Sequence, residues 1–308
     1  MTTRAVVFAY HDVGVRCLET LLSGGVEVPL VVTVRDDPAE TQWFASVAAT
    51  AAEYGIETIT PADPNTPDIQ ERLAALQPDF IFSFYYRSLL GAPLLRTARL
   101  GALNMHGSLL PKYRGRAPVN WAILRGERET GATLHYMVER ADAGEIVDQL
   151  AVPILENDDA RAVFSKVTVA AEIVLARSLP GLIAGTAPRH RQPIEEGQYF
   201  GRRRPEDGRI DWTWTAQEIH NLVRAVAPPF PGSYANVGDQ RWIIQKTRVV
   251  PKTTTPGVQA KLVSVDGQCY VECCDGSILH LIKIASQEGP LILRGLAAAL
   301  AKHPRVLS

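Results

Sequence analysis

Asn104 and His106 stand two residues apart in Leu103-Asn104-Met105-His106-Gly107-Ser108-Leu109-Leu110-Pro111, and a lone carboxylate, Asp142, returns in Arg140-Ala141-Asp142-Ala143-Gly144. At the end of an extended segment, side chains two apart leave the same face. An amide can donate to an oxygen that is turning negative, and an imidazole can take the proton of an attacking amine. A carboxylate beside that imidazole fixes its orientation and favours its charged form. Together these are the parts needed to move an acyl group onto an amine. Taken alone, a histidine is more often a satisfied interior residue and an asparagine a turn former, so the flanking runs decide the matter.

The elements that must hold these residues are legible from periodicity. Val6-Val7-Phe8-Ala9, Val28 to Val34, Phe80-Ile81-Phe82-Ser83-Phe84 and Gly101 to Met105 are near-continuous apolar runs, as in parallel strands covered on both faces. Between them, Val13 to Leu22 ahead of Gly24-Gly25, Trp43 to Tyr54 ahead of Gly55, and Ile69 to Leu76 ahead of Pro78 read as helices. Alternation of this kind predicts a doubly wound, Rossmann-like parallel sheet. The loops after Ala9, Phe84 and Met105 then share the crevice beyond the strand ends. Ala9-Tyr10-His11-Asp12-Val13-Gly14 has one glycine where a dinucleotide fingerprint has three, which argues against a nicotinamide.

Ala160 to Ile183 predicts a long helix ending at Gly185. Pro188, Pro193, Gly197 and Arg202-Arg203-Arg204-Pro205 then read as a linker with solvated charges. Ala216 to Val226 predicts one more helix, and Trp242-Ile243-Ile244, Lys261 to Val265 and Ile278 to Ile282 predict short strands of a small barrel. Trp212 and Trp214, alternating about Thr213, suggest a strand packed against a core. The expected division is a catalytic domain over 1–203 and an OB-like barrel over 204–308.

Composition narrows the function classes. A net charge of -1 offers no global field for polyanions, and residues 204–308 hold 12 Lys or Arg against 9 Asp or Glu. Asp36-Asp37-Pro38-Ala39-Glu40 is acidic, so no nucleic-acid partner is expected. Cys17, Cys269, Cys273 and Cys274 form no CxxC pair and read as reduced thiols in a cytoplasmic protein. No metal site is expected. The N-terminal apolar run is too short for a signal segment, and no stretch was expected to reach the roughly 20 apolar residues of a membrane span.

The runs around the candidate residues resemble the 10-formyltetrahydrofolate-dependent formyltransferases. The match is carried by Val7-Phe8-Ala9-Tyr10-His11-Asp12, Phe82 to Arg87, His106 to Pro118, Arg140 to Gly144, Phe200-Gly201-Arg202-Arg203 and Val223 to Ala227 with Pro231-Gly232. Within that family it is similar to the branch that formylates UDP-4-amino-4-deoxy-L-arabinose in lipid A modification and polymyxin resistance. The resemblance implies that Asn104, His106 and Asp142 are the catalytic set. It implies folate contacts from Arg116, from Val138, Glu139, Arg140, Ala141 and Asp142, and from the backbone of Ser88, Leu89 and Leu90. It also implies a nucleotide-sugar substrate and a decarboxylating dehydrogenase, either a separate partner or a further part of the same polypeptide. Other nucleotide-linked amino sugars, then methionyl-tRNA, then a non-catalytic folate or nucleotide-sugar binding module are the alternatives; the near-neutral charge counts against tRNA.

Lys112, Arg114 and Arg116, between Gly107 and Gly115 and just after it, suggest a mobile cationic flap, with a solvated loop as the plainer reading of the first two. Tyr10-His11-Asp12 lies where an acceptor would bind, although His11 alone is more often a loop residue.

Overall fold

A computed structural model describes residues 2–38, 42–237, 240–257, 259–286, 289–303 and 305–307. Ala39 and Glu40 of the acidic run therefore lie outside the described residues. The chain divides into two compact units, one of residues 1–118, 129–153 and 164–201, the other of 119–128, 154–163 and 202–308.

The first unit is built from β1 (Arg4–Ala9), α1 (His11–Ser23), β2 (Glu27–Val32), α2 (Val47–Glu53), β3 (Glu57–Ile59), α3 (Pro67–Leu76), β4 (Phe80–Phe84), α4 (Ala92–Leu95) and β5 (Gly101–His106). β6 (Arg114–Gly115), β7 (Glu129–Tyr136), β8 (Ile146–Pro153), α6 (Ala160–Ala184) from residue 164 on and β9 (Tyr199–Phe200) complete it, whereas α5 (Pro118–Leu124) from residue 119 on and the start of α6 belong to the second unit. Seven strands form one sheet in the order β3-β2-β1-β4-β5-β7-β8. The first five are parallel, as the apolar runs predict, whereas β7 and β8 extend one side of the sheet as antiparallel strands that no run announced. Phe80, Phe82 and Phe84 are fully buried, and each contributes about 1.5–3 kcal/mol by leaving water.

Strand order reverses between β1 and β4, which places the loops after Ala9 and Phe84 side by side; Tyr10 N–H donates to the Phe84 carbonyl at 3.0 Å. The helix expected over Trp43 to Tyr54 is shorter. Ser46 accepts from Ala49 N–H at 3.3 Å and caps α2 there, which frees Trp43 and Phe44 to pack around His11.

α6 corrects the expectation about membrane spans, because its 25 residues are long and apolar enough to cross one. Half of its most apolar window is buried within the chain, as in a core helix.

The second unit contains α7 (Ala216–Ala225), β10 (Ser233–Val237), β11 (Gln240–Thr253), β12 (Lys261–Val265), β13 (Gln268–Glu272), β14 (Ser277–Ser286), β15 (Gly289–Pro290), α8 (Leu293–Leu300) and β16 (Arg305–Val306). Thr215 and Glu218 close a reciprocal capping box at the start of α7. The strands run β10-β11-β14-β13-β12-β16, with β15 on β14, as an antiparallel half-barrel. Trp212 is 5% exposed within its core, but Asp211 to Trp214 form a turn and not the expected strand. Asp211 Oδ1 accepts from Thr213 N–H at 2.9 Å, bending the backbone locally. Arg203, read as solvated, lies over the Trp121 ring at 4.9 Å.

Candidate active site

β5 delivers Asn104 and His106 to the carboxyl end of the sheet, and the loop between β7 and β8 brings back Asp142. The three side chains meet. Asp142 Oδ1 lies 3.6 Å from His106 Nδ1 and 3.5 Å from Asn104 Nδ2, and Asp142 Oδ2 accepts from Gly115 N–H at 2.8 Å.

His106 is buried, and its Nε2 is 2.8 Å from the Tyr113 carbonyl. A carbonyl can only accept, so Nε2 carries a proton and Nδ1 is the nitrogen left facing Asp142. Tyr113 thus orients the ring by hydrogen bond, while Asp142, at 3.6 Å, acts on it through charge. Burial pushes the Asp142 carboxyl up. The His106 charge, the His135 hydrogen bond and charge, and the Gly115 N–H outweigh burial and hold it well below the usual carboxylate range.

His135 is a fourth member that sequence reasoning missed. Antiparallel register sets it opposite Asn104, across β5 and β7. Its Nδ1 lies 2.9 Å from the Tyr136 carbonyl and so is a donor; in the neutral ring Nε2 then accepts from Asn104 Nδ2 at 3.1 Å. Its only sequence signal was a histidine in the apolar strand Ala132-Thr133-Leu134-His135.

Asp142 sits at a φ of 52°, in the left-handed region, within a turn where Gly144 is obligatory because a Cβ there would collide with the Tyr136 carbonyl.

The predicted folate residues connect to this set. Arg116 follows Gly115, and its Nη2 donates to the Arg87 carbonyl at 3.3 Å, joining the Asp142 contact to the loop that carries Ser88, Leu89 and Leu90. Leu89 is 70% exposed, Val138 is 47% exposed, and Glu139 and Arg140 are exposed beside them in sequence. Exposed apolar side chains for a flat ring, main-chain polar groups, and one cation for a carboxylate tail fit a folate. The Leu89 carbonyl, however, already accepts from Asn65 Nδ2 at 3.0 Å.

The expected mobile flap is not one. Arg114 is buried and donates to the carbonyls of Ile194 and Gly197, both at 3.2 Å. Ser108, Leu110 and Lys112 are tied in as well: Thr133 Oγ1 donates to the Ser108 carbonyl, Gln149 Nε2 to the Leu110 carbonyl, and Ser108 Oγ to the Lys112 carbonyl. The stretch read as a linker supplies the other side of this brace. β9 pairs with β6, and Phe200 stacks on Tyr113 with ring centroids 5.0 Å apart.

His11 is packed into a cluster of aromatic rings. It is 9% exposed and stacks on Phe44 at 4.0 Å, with Trp43 and Phe164 against it. Burial, then the Arg87 charge, lowers its pKa to about 3, so it is neutral at ordinary pH. Tyr10 donates its hydroxyl to Asp36 at 2.9 Å beneath the Arg87 guanidinium.

Comparison with known proteins is consistent with this geometry. Residues 4–179 match the formyl transferase family model, and residues 203–292 match the model of the formyl transferase C-terminal domain. The chain is similar to an N-formyltransferase from Helicobacter canadensis in complex with folinic acid and dTDP-3-aminofucose (22% identity, 91% of this chain and 99% of that one, TM-score 0.72). It is similar to WlaRD, a sugar 3-N-formyltransferase solved with dTDP and 5-N-formyl-THF (20%, 94% and 98%, 0.71), and to a 4-N formyltransferase from Francisella tularensis (21%, 75% and 91%, 0.61).

Proposed function

The chain belongs to the formyl transferase family, and from that premise we propose that it transfers formyl from 10-formyltetrahydrofolate to a nucleotide-linked amino sugar, namely the 4-amino group of UDP-4-amino-4-deoxy-L-arabinose. The observation that carries this reading is the convergence of Asn104, His106 and Asp142 on one point at the end of β5, linked through Gly115 and Arg116 to the 87–90 loop. The nucleotide-sugar class is supported by the acceptors of the similar enzymes, and the uridine-linked pentose by the sequence runs shared with that branch. Catalysis is assigned to residues 1–203, with an OB-like domain over 204–308. On this reading the product serves lipid A modification and polymyxin resistance, in a reaction sequence that also includes an oxidative decarboxylation of the sugar.

The folate, when bound, supplies a formyl group on a nitrogen that can leave. His106 takes the proton of the attacking amine at Nδ1, since Nε2 is held by Tyr113. The imidazolium so formed faces Asp142, and the proton passes on to the departing nitrogen. Of the two Asn104 amide hydrogens, one is held by His135. The other is the donor for the developing oxyanion, because Nδ2 lies 3.5 Å from Asp142 Oδ1, at the limit of a hydrogen bond.

Release of tetrahydrofolate is the test, with UDP-4-amino-4-deoxy-L-arabinose, a dTDP-4-amino sugar and methionyl-tRNA offered in parallel. Turnover with the UDP sugar alone is expected. Turnover only with another acceptor keeps the chemistry and replaces the substrate. No turnover with any of the three moves the folate or nucleotide-sugar binding module to the front.

A further inference from the structure

The segment 189–200 does more than connect. Residue 190 bridges to Ile146 through paired backbone hydrogen bonds, each 2.8 Å, and Arg189 lies over the Tyr136 ring at 3.8 Å. The segment therefore runs alongside the turn that carries Asp142. Further on, the Gln198 carbonyl accepts from Arg114 N–H at 3.1 Å, next to the Tyr113 carbonyl that orients His106.

Between these anchors sits Gln192, 4% exposed. Its Nε2 donates to the carbonyl of Asp142 at 3.2 Å and to that of Gly144 at 2.5 Å. Both partners are acceptors, so the amide can point only one way, and its Oε1 is left buried with no hydrogen-bond partner among the described residues. Burying an unsatisfied oxygen is unfavourable, so the two donated bonds are made at a penalty elsewhere on the same side chain. What they hold is the backbone on either side of Ala143, with Asp142 in the left-handed region. A carboxylate whose φ is set there directs its oxygens toward His106, His135 and Gly115; relaxed to an extended φ, it does not.

We propose that Gln192 is a positioning residue for the reaction: its amide clamps the 142–144 turn so that Asp142 faces His106. The inference rests on the catalytic reading of Asp142 given above. Gln192→Leu keeps the bulk and removes both donors. Gln192→Glu keeps the shape and has a donor only when its carboxyl is protonated.

The experiment measures kcat, KM and their pH dependence for both variants, together with the titration of the Asp142 carboxyl by carbon-13 NMR in the substrate-free protein. For Gln192→Leu, kcat falls about tenfold to a hundredfold with KM within about twofold, the signature of a reacting group displaced by a fraction of an ångström. The Asp142 carboxyl titrates at higher pH than in the unsubstituted chain, because it loses its close partners. For Gln192→Glu, kcat relative to the unsubstituted enzyme recovers as pH falls and the new carboxyl regains a proton to donate. An unchanged Asp142 titration in both folded variants overturns the proposal, as does a loss of rate carried wholly by KM. If Gln192→Leu does not fold, the pH-dependent recovery of Gln192→Glu decides. The titration needs no substrate, so it judges Gln192 even if no acceptor is turned over and the catalytic reading itself fails.

Discussion

Replacing Asp142 by asparagine keeps the outline of the side chain and removes its charge. The interaction at stake is set by the 3.6 Å between Asp142 Oδ1 and His106 Nδ1, in a pair whose side chains are only 13% and 7% exposed. At an effective dielectric constant of about 20, a full charge on His106 at that distance is stabilised by about 5 kcal/mol. The charge is complete only once the amine has given up its proton, so the loss falls on the transition state and not on substrate binding. kcat is expected to drop about a thousandfold or more, with KM for either substrate within about twofold. Stopped-flow detection of tetrahydrofolate at saturating substrate, with circular dichroism to establish folding, reads the effect. A folded Asp142→Asn enzyme with the unsubstituted rate and pH profile refutes the reasoning and leaves the carboxylate as a structural acceptor for Gly115 N–H.

The same carboxyl has a folded pKa below its unfolded one, so the stability it contributes is present above about pH 4 and is lost as pH falls through the depressed folded value. The melting-temperature advantage of the unsubstituted chain over Asp142→Asn should therefore shrink on that acid side. His11 has the opposite charge logic: it is neutral when folded down to about pH 3, while the unfolded chain protonates it near 6.5. Stability should fall with pH across that window by up to about 1.4 kcal/mol per pH unit from this group, and His11→Asn, which tolerates the φ of 67°, should flatten the slope. Tyr85 Oη is buried without a partner among the described residues, so Tyr85→Phe should raise stability in urea titration by about 1 kcal/mol and leave kcat unchanged. Gly144→Ala forces its methyl into the Tyr136 carbonyl and should cost more than about 2 kcal/mol together with most of the activity.

The strands β1, β4 and β5 were readable because parallel strands buried on both faces are written as unbroken apolar runs. That Asn104, His106 and Asp142 come together was legible in part, because acyl transfer to an amine would need those residue types and the motifs carry them. His135 was not, since its role comes from strand register: an antiparallel pairing 31 residues away sets it against Asn104, and nothing local encodes that. Gln192 was hidden for a related reason. Proline and glycine mark where a chain turns and stay silent on what a side chain between them touches. Arg114 showed the converse error, because a basic residue in a glycine-containing loop suggests motion until its guanidinium is seen bound to two carbonyls.

The loop between β7 and β8 is uneven along its length. Residues 142–144 are fixed from three sides, by Gly115, by Gln192 and by the Tyr136 backbone, while Val138, Glu139 and Arg140 stand exposed a few positions earlier. One short loop thus separates a part that tolerates no drift from a part free to vary. On the proposed reading, in which 138–140 contact the folate and Asp142 serves proton transfer, substitutions at 138–140 should change the KM for the folate donor with little effect on kcat.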